Sequence, residues 1–304
     1  MGKYKIIVNP VAGRGGAKKL LPLVERELQL QKIDYDIAFT EHPWHAAALT
    51  QQAIVLGYDV IVSVGGDGTF NEVLNGVMLA RQAGLGGAAL AVLPTGRCNN
   101  FAFSMGLPTR IRQACQALAN GHHRLIDIGE VVGGLYPLGR YFGNGVSIGY
   151  AAADSFLSES GKRLRARIPM IFKVLYFYRQ VPRLQIELEN ETLTQPTLMI
   201  SAMNGRRLSC GFMMAPKSQP DDGALDVCIV RQMSRIKMMR VLPRFRRGIP
   251  ARDKAIILRR SQRVVVTALE GSIPALVDGE TLCTEGDRLA VELHPGQIEL
   301  ITAR

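Results

Sequence analysis

The stretch that decides the fold is Val60–Gly76, VIVSVGGDGTFNEVLNG. The apolar run Val60–Val64 stops at a glycine-rich turn, Gly65–Thr69, and apolar residues at helical spacing follow it. This order predicts a buried strand, a tight turn and a helix that begins at about Thr69. Because glycine has no Cβ, several backbone N–H groups can point at one anion, and the positive end of the helix adds to the attraction. The stretch therefore predicts a phosphate-binding loop.

Two further glycine loops follow predicted strands. Lys5–Asn9 leads into PVAGRGG, with a predicted helix at Ala17–Gln31, and Leu90–Leu93 leads into PTGRCNN. The first of these is not a Walker A loop, because no Gly-Lys-Ser/Thr follows at the required spacing. Since the carboxyl ends of parallel strands meet at one edge of a sheet, we expect all three loops to converge there.

The fold class changes along the chain. Strands alternate with helices over residues 1–128, which predicts an α/β domain with a doubly wound parallel sheet. Residues 129–295 carry short alternating runs, typical of a mainly antiparallel β-sandwich, with helical segments predicted at Ile168–Gln180 and around Arg235–Arg246. The tail, about residues 296–304, is expected to pack back on the first domain.

Basic residues are concentrated in one segment. The chain carries a net charge of +11, and Arg231–Arg263 holds twelve Lys or Arg against one acid, Asp253, so this segment accounts for the whole excess. We name Arg231–Arg263 the basic segment. A patch of this kind favours an anionic surface, such as lipid headgroups, over nucleic acid, because no nucleic-acid motif or aromatic platform accompanies it.

Several carboxylates are candidates for chemistry. Asp67 lies inside the glycine loop, where a bridging Mg²⁺ would relieve its repulsion with a phosphate. Asp127 ends a predicted strand, Asp222 lies in an Asp-Asp-Gly turn, and Asp278 and Glu280 flank a tight turn where either could accept a proton.

Other classes of site are disfavoured. The five histidines lack zinc spacing, and no Gly-x-Ser-x-Gly elbow is present. The five cysteines have no paired spacing and are expected to be free thiols in a reducing cytoplasm.

Taken together, the motifs resemble those of the bacterial diacylglycerol-kinase-like lipid kinases, which share a catalytic domain with diacylglycerol and sphingosine kinases. The resemblance rests on Asn9-Pro10, on GGDGT followed by Asn-Glu-Val, on Leu-Pro-Thr-Gly with Asn99, and on Asp278-Gly279-Glu280. It runs nearly end to end. Alone, GGDGT would also suit NAD kinases and the phosphofructokinase loop, so the N-terminal domain is expected to be of that kind.

The resemblance implies ATP, Mg²⁺ and transfer of the γ-phosphoryl group to a lipid hydroxyl, with diacylglycerol as the first candidate. It implies ATP contacts at Asn9, Pro10, Val11, Ala12, Gly13, Thr40, Gly66, Asp67, Gly68, Thr69, Phe70, Asn71 and Glu72, with Arg97 expected near the phosphates. It implies Mg²⁺ ligands at Gln219, Asp222 and Ala224, with Asp67 and Asp127 in an acidic network. It leaves open whether Asp278 or Glu280 is the catalytic base.

The third loop departs from the family pattern. Where the family usually has Thr, Asp and a later Arg, this chain has Arg97, Asn100 and Phe103. The loss of a carboxylate weakens the case for the metal network, and Arg97 could either supply a fixed cation or block the site.

The sequence therefore predicts a lipid kinase that acts at the cytoplasmic face of the membrane, docked through the basic segment. The alternatives are a catalytically impaired regulator that binds nucleotide or lipid, a sphingosine-type kinase and an NAD kinase-like enzyme. A homodimer is left open.

Overall fold

The computed structural model describes residues 2–149, 152, 181–208, 212–248 and 253–303. The chain divides into two compact units, which we name the N-terminal unit (Met1–Ile128 with Pro295–Arg304) and the C-terminal unit (Gly129–His294). The predicted helix at Ile168–Gln180 lies outside the described residues. Within the described ranges, no helix is both long and apolar enough to cross a membrane.

The N-terminal unit alternates strands with helices. Its elements are β1 (Tyr4–Val8), α1 (Ala12–Leu30), β2 (Tyr35–Phe39), α2 (His45–Val55), β3 (Val60–Gly65), α3 (Asp67–Gln82), β4 (Ala89–Pro94), α4 (Asn100–Ser104), α5 (Ile111–Asn120) and the start of β5 (His122–Gly133). The strands pair in parallel in the order β2-β1-β3-β4. All six residues of β3 are buried, as expected for a central parallel strand with both faces covered. The predicted parallel α/β fold is confirmed.

Residues 295–303 complete this unit. Leu300 pairs in parallel with Leu90 of β4. Ile301 packs in the same core as strand residues such as Val62 and Leu93 and helix residues such as Leu28.

The C-terminal unit is built from antiparallel strands. Its elements are β6 (Tyr136–Phe142), β7 (Gly145–Gly149), β8 (Arg183–Leu188), β9 (Thr192–Met203), β10 (Leu225–Arg231), α6 (Arg235–Arg246), β11 (Ile256–Ser261), β12 (Arg263–Glu270), β13 (Ala275–Val277), β14 (Glu280–Cys283) and the start of β15 (Arg288–Thr302).

The long strand β9 belongs to two sheets. Residues Thr192–Pro196 pair with β8, whereas Met199–Met203 pair with β7 and β10. Apolar side chains from both sheets, such as Ile186 and Ile200, share one core. This arrangement confirms the predicted antiparallel sandwich.

Two helix starts differ from prediction. Helix α3 begins at Asp67 rather than Thr69, because Gly66 is extended and Asp67 suits the positive end of the helix. Helix α1 is assigned from Ala12 rather than Ala17, but Gly13, Arg14 and Gly15 are left-handed, so its regular turns begin after this kink.

Candidate active site

The loop after β1 is tied to the first turn of α3 by the side chain of Asn9. Its amide Nδ2 donates to Thr69 Oγ1 at 3.0 Å, and its Oδ1 accepts from the backbone N–H of Val11 at 3.2 Å. The Asn9 side chain thus holds the two glycine loops in a fixed relation.

Glycines allow the three loops to touch backbone to backbone. A Cβ built on Gly13 would lie 2.3 Å from the carbonyl oxygen of Thr95, and one built on Gly96 would lie 2.3 Å from Cα of Gly66. No side chain fits at either contact. The three glycine loops thus converge, as the sequence predicts. Their backbone lies beside the start of α3, an arrangement suited to phosphate oxygens.

Asp67 links two helix starts. Its Oδ1 accepts from the backbone N–H of Phe101 in α4 at 3.0 Å, and the rings of Phe70 and Phe101 stack with centroids 3.7 Å apart. Asn99, left-handed at φ 48°, donates from Nδ2 to the carbonyl of Gly96 at 3.1 Å. The Asp67 carboxylate and the Phe70–Phe101 ring contact therefore anchor the third loop to the second, and the Asn99 amide closes the third loop on itself.

Some predicted ATP contacts face inward. Phe70 is 2% exposed and Asn71 is fully buried, while Glu72 Oε2 accepts from the N–H of Ala46 in α2 at 3.1 Å. These side chains stabilise the loop. Among the other predicted contacts, Thr40 donates its N–H to Val8 at 2.9 Å, and Arg97 is exposed.

The predicted metal ligands lie in separate settings. Asp127 is 3% exposed, and its Oδ1 accepts from the N–H of Gly296 at 2.8 Å, which anchors the returning segment. Asp222 Oδ2 lies 2.5 Å from Nη2 of Arg260, and Gln219 is exposed. Among the residues that the structure describes, no three His, Cys, Asp or Glu side chains form a cluster that could hold a metal.

Asp278 shapes the turn between β13 and β14. Its backbone is left-handed at φ 47°, and its carboxylate accepts from the N–H groups of Gly143, Asn144 and Gly145, each at 3.0 Å. These three hydrogen bonds join the turn between β13 and β14 to the backbone of Gly143–Gly145.

Glu280 is held by a buried arginine. Arg140 Nη2 lies 2.5 Å from Glu280 Oε2; the arginine side chain is fully buried, and the glutamate side chain is 42% exposed. The guanidinium also contacts the Tyr136 hydroxyl and lies 4.6 Å from the centre of its ring. Sequence reasoning missed Arg140, because its partner is 140 residues away and no local pattern marks the pair.

An apolar cavity of about 160 Å³ lies in the C-terminal unit. Phe245 of α6 lines it together with Met213, Met214 and Cys228, and Lys217 and Arg259 add positive charge to its wall. Burial raises the pKa of the Cys228 thiol to about 12.

Helix α6, within the basic segment, has two unlike faces. Met238, Val241 and Phe245 pack in the core of the unit. The opposite face exposes Ile236 (66%) and Met239 (43%) beside three basic residues, namely Arg235, Arg240 and Arg244. An apolar and basic outer face is typical of helices that lie at a membrane surface.

The expectation of free thiols is wrong for Cys98, which is disulfide-bonded. Cys115, Cys228 and Cys283 are free and buried. Cys210 lies outside the described residues.

Sequence comparison matches two domain profiles along the chain. Residues 3–131 match the diacylglycerol kinase catalytic domain, and residues 140–302 match the YegS C-terminal NAD kinase beta sandwich-like domain. A diacylglycerol kinase of Bacillus subtilis is 29% identical over 290 residues, covering 92% of this chain and 90% of the relative. One of Staphylococcus carnosus is 25% identical over 283 residues, covering 91% and 88%.

Solved structures share the fold. The crystal structure of a diacylglycerol kinase from Bacillus anthracis superposes with a TM-score of 0.74 at 21% identity, covering 99% of this chain and 97% of that one. An NAD kinase from Archaeoglobus fulgidus in complex with ATP gives 0.51 at 12% identity, covering 99% and 94%.

Proposed function

Because the chain belongs to the diacylglycerol kinase family, whose members transfer a phosphoryl group to an alcohol, we propose that it phosphorylates a lipid hydroxyl with ATP. Diacylglycerol, giving phosphatidic acid, is the first candidate, supported by the names of the Bacillus subtilis and Staphylococcus carnosus relatives. The observation that carries the proposal is the backbone contact of the three glycine loops at Gly13–Thr95 and Gly66–Gly96. Such a surface suits the phosphates of a nucleotide.

ATP would bind the N-terminal unit as its Mg²⁺ complex. The backbone groups of the three loops and the start of α3 would take the phosphate oxygens, and the exposed Arg97 would add a positive charge beside them. Asp67 fits the metal of this substrate, because a carboxylate beside the phosphate loop supplies the hard oxygen ligand that Mg²⁺ prefers. Positioning and charge neutralisation are the main contributions of such a site.

We assign Glu280 as the proton acceptor and Asp278 as the residue that shapes the turn. Asp278 is 9% exposed and accepts three backbone N–H groups, so little of its capacity remains for a substrate. Glu280 is 42% exposed, and Arg140 holds it in place. Its carboxylate is thus both oriented and accessible, as a proton acceptor for a hydroxyl must be.

The lipid would bind the C-terminal unit. Its apolar cavity, with Phe245 and two methionines in the wall, suits part of an acyl chain. The outer face of α6 would lie on anionic lipid, with Ile236 and Met239 in the headgroup region and Arg240 and Arg244 on phosphates.

Transfer of labelled γ-phosphate from ATP to a lipid panel, with Mg²⁺, tests the assignment. We expect wild type to label diacylglycerol and Glu280→Gln to lose at least 100-fold in rate, on the order of the gain from one general base. Glu285→Gln, the same change at an exposed glutamate nearby, is the control and should stay within twofold of wild type.

Other outcomes select the alternatives. Labelling of sphingosine or of NAD in place of diacylglycerol would indicate those activities. ATP binding without transfer to any acceptor would contradict the kinase proposal and favour a regulator, with Arg97 and the buried Asn100 as the residues to restore.

Vesicle flotation tests the membrane role separately. Replacing Arg240 and Arg244 with Gln should weaken binding to phosphatidylglycerol vesicles about 30-fold, since each charge contributes about 1 kcal/mol and 1.4 kcal/mol is tenfold. The double variant Lys18→Gln/Arg26→Gln removes two exposed charges from α1 and is the control. Equal binding by both variants, or binding that high salt leaves unchanged, would refute the role of α6.

A further inference from the structure

In the loop that precedes β10, protein groups already bind the carboxylate of Asp222. Asp222 Oδ2 lies 2.5 Å from Nη2 of Arg260, and its Oδ1 accepts from the backbone N–H of Ala224 at 3.3 Å. Both carboxylate oxygens therefore have partners, one of them a full positive charge. This is the position where the family resemblance implies a divalent cation.

A second side chain, that of Gln262, binds a backbone carbonyl of the same loop. Gln262 donates from Nε2 to the carbonyl oxygen of Gly223 at 2.9 Å. Gln262 lies just beyond β11, the strand that carries Arg260. The carboxylate and a carbonyl of this loop, both hard oxygen ligands, are thus already bound by protein donors.

Strand pairing places the guanidinium beside a second carboxylate. Arg260 is opposite Asp226 in the antiparallel pair of β10 and β11. One arginine therefore faces two acids, as a bound cation would.

We infer that the guanidinium of Arg260 takes the place of a divalent cation at Asp222, so that this loop needs no metal. The side chain of Asp222 is 25% exposed and that of Arg260 is 55% exposed, so solvent ions can reach the carboxylate. Competition with the arginine, rather than burial, then keeps the position free of metal. This inference does not depend on the proposed phosphoryl transfer.

Mn²⁺ binding to the nucleotide-free, full-length protein, followed by electron paramagnetic resonance, tests the inference. Wild type and Asp222→Asn should bind the same amount of Mn²⁺. Arg260→Gln should bind one equivalent more, and the double variant should lose that equivalent. Arg259→Gln is the matched control, because it removes the neighbouring charge, which pairs with Glu191, and leaves Asp222 untouched.

Two results would overturn the inference. An equivalent of Mn²⁺ bound by wild type and lost in Asp222→Asn would show that a metal occupies the position beside Arg260. Failure of folded Arg260→Gln to gain an equivalent would show that the guanidinium is not what excludes it. Should Arg260→Gln fail to fold, the comparison of wild type with Asp222→Asn still shows whether a metal occupies the position, and an occupied position overturns the inference.

Discussion

Replacing Gly96 with alanine should separate the second and third glycine loops. The new Cβ would lie 2.3 Å from Cα of Gly66 and 2.8 Å from Oδ1 of Asn99. The closer contact is with backbone, so no side-chain rotation relieves it. To reach an ordinary contact of 3.4 Å, the loops would have to move apart by about 1 Å.

The substitution should lower both the free energy of unfolding and the affinity for ATP. Overpacking of this kind lowers the free energy of unfolding by about 1–3 kcal/mol. A displacement of about 1 Å at a site that positions its substrate can cost up to about 100-fold, so we expect ATP affinity to fall by about 10- to 100-fold. The loss in affinity should exceed what the population of unfolded protein explains, because the displaced groups are those proposed to bind phosphate.

Isothermal titration with ATP and Mg²⁺, together with urea denaturation, measures both quantities. Gly16→Ala is the control, since its Cβ would lie 3.8 Å from its nearest neighbour, the carbonyl oxygen of Thr95, and its backbone is not left-handed. Folded Gly96→Ala that binds ATP within twofold of wild type would refute the view that loop contact forms the nucleotide site.

Two further predictions concern stability. Glu280→Gln removes a charge partner of the fully buried Arg140 and should lower the free energy of unfolding, measured in urea, by about 1–3 kcal/mol. The control Glu285→Gln should lower it by less than about 0.5 kcal/mol. Equal values for the two variants would contradict a stabilising role for the Arg140–Glu280 pair. The Cys228 pKa is raised from 9.0 to about 12 in the folded state, so folded protein holds a proton that unfolded protein releases. This contribution to stability is complete below pH 9 and is lost as the pH rises towards 12. The free energy of unfolding of Cys228→Ala should therefore decline less than that of wild type over this range. Identical declines would contradict the role of the Cys228 thiol.

The sequence predicts the elements whose signals are local. The apolar run Val60–Val64 followed by glycines defines β3 and its loop, and the helix predicted around Arg235–Arg246 matches α6 in its bounds. The alternation of strands with helices in the first part of the chain predicts the parallel sheet. The short runs of alternating apolar and polar residues in the second part predict the sandwich. These features depend on periods of a few residues, which a single sequence displays.

The contacts that decide the site are not local. Arg140 and Glu280 are 140 residues apart, and the hydrogen bond from Phe101 to Asp67 spans 34 residues. The pairing of Arg260 with Asp222 depends on the register of β10 and β11. No spacing rule relates such partners, so the sequence predicts which carboxylates are present and not which of them are already neutralised.

The order of segments in the N-terminal unit has a consequence for biosynthesis. Residues 295–303 enter this unit only after the whole C-terminal unit has been translated. Until Gly296 reaches Asp127 and Leu300 reaches β4, the emerging polypeptide carries an α/β unit with one position of its sheet unfilled. A ribosome-bound nascent chain should therefore remain sensitive to protease in this unit long after its first 128 residues have left the exit tunnel.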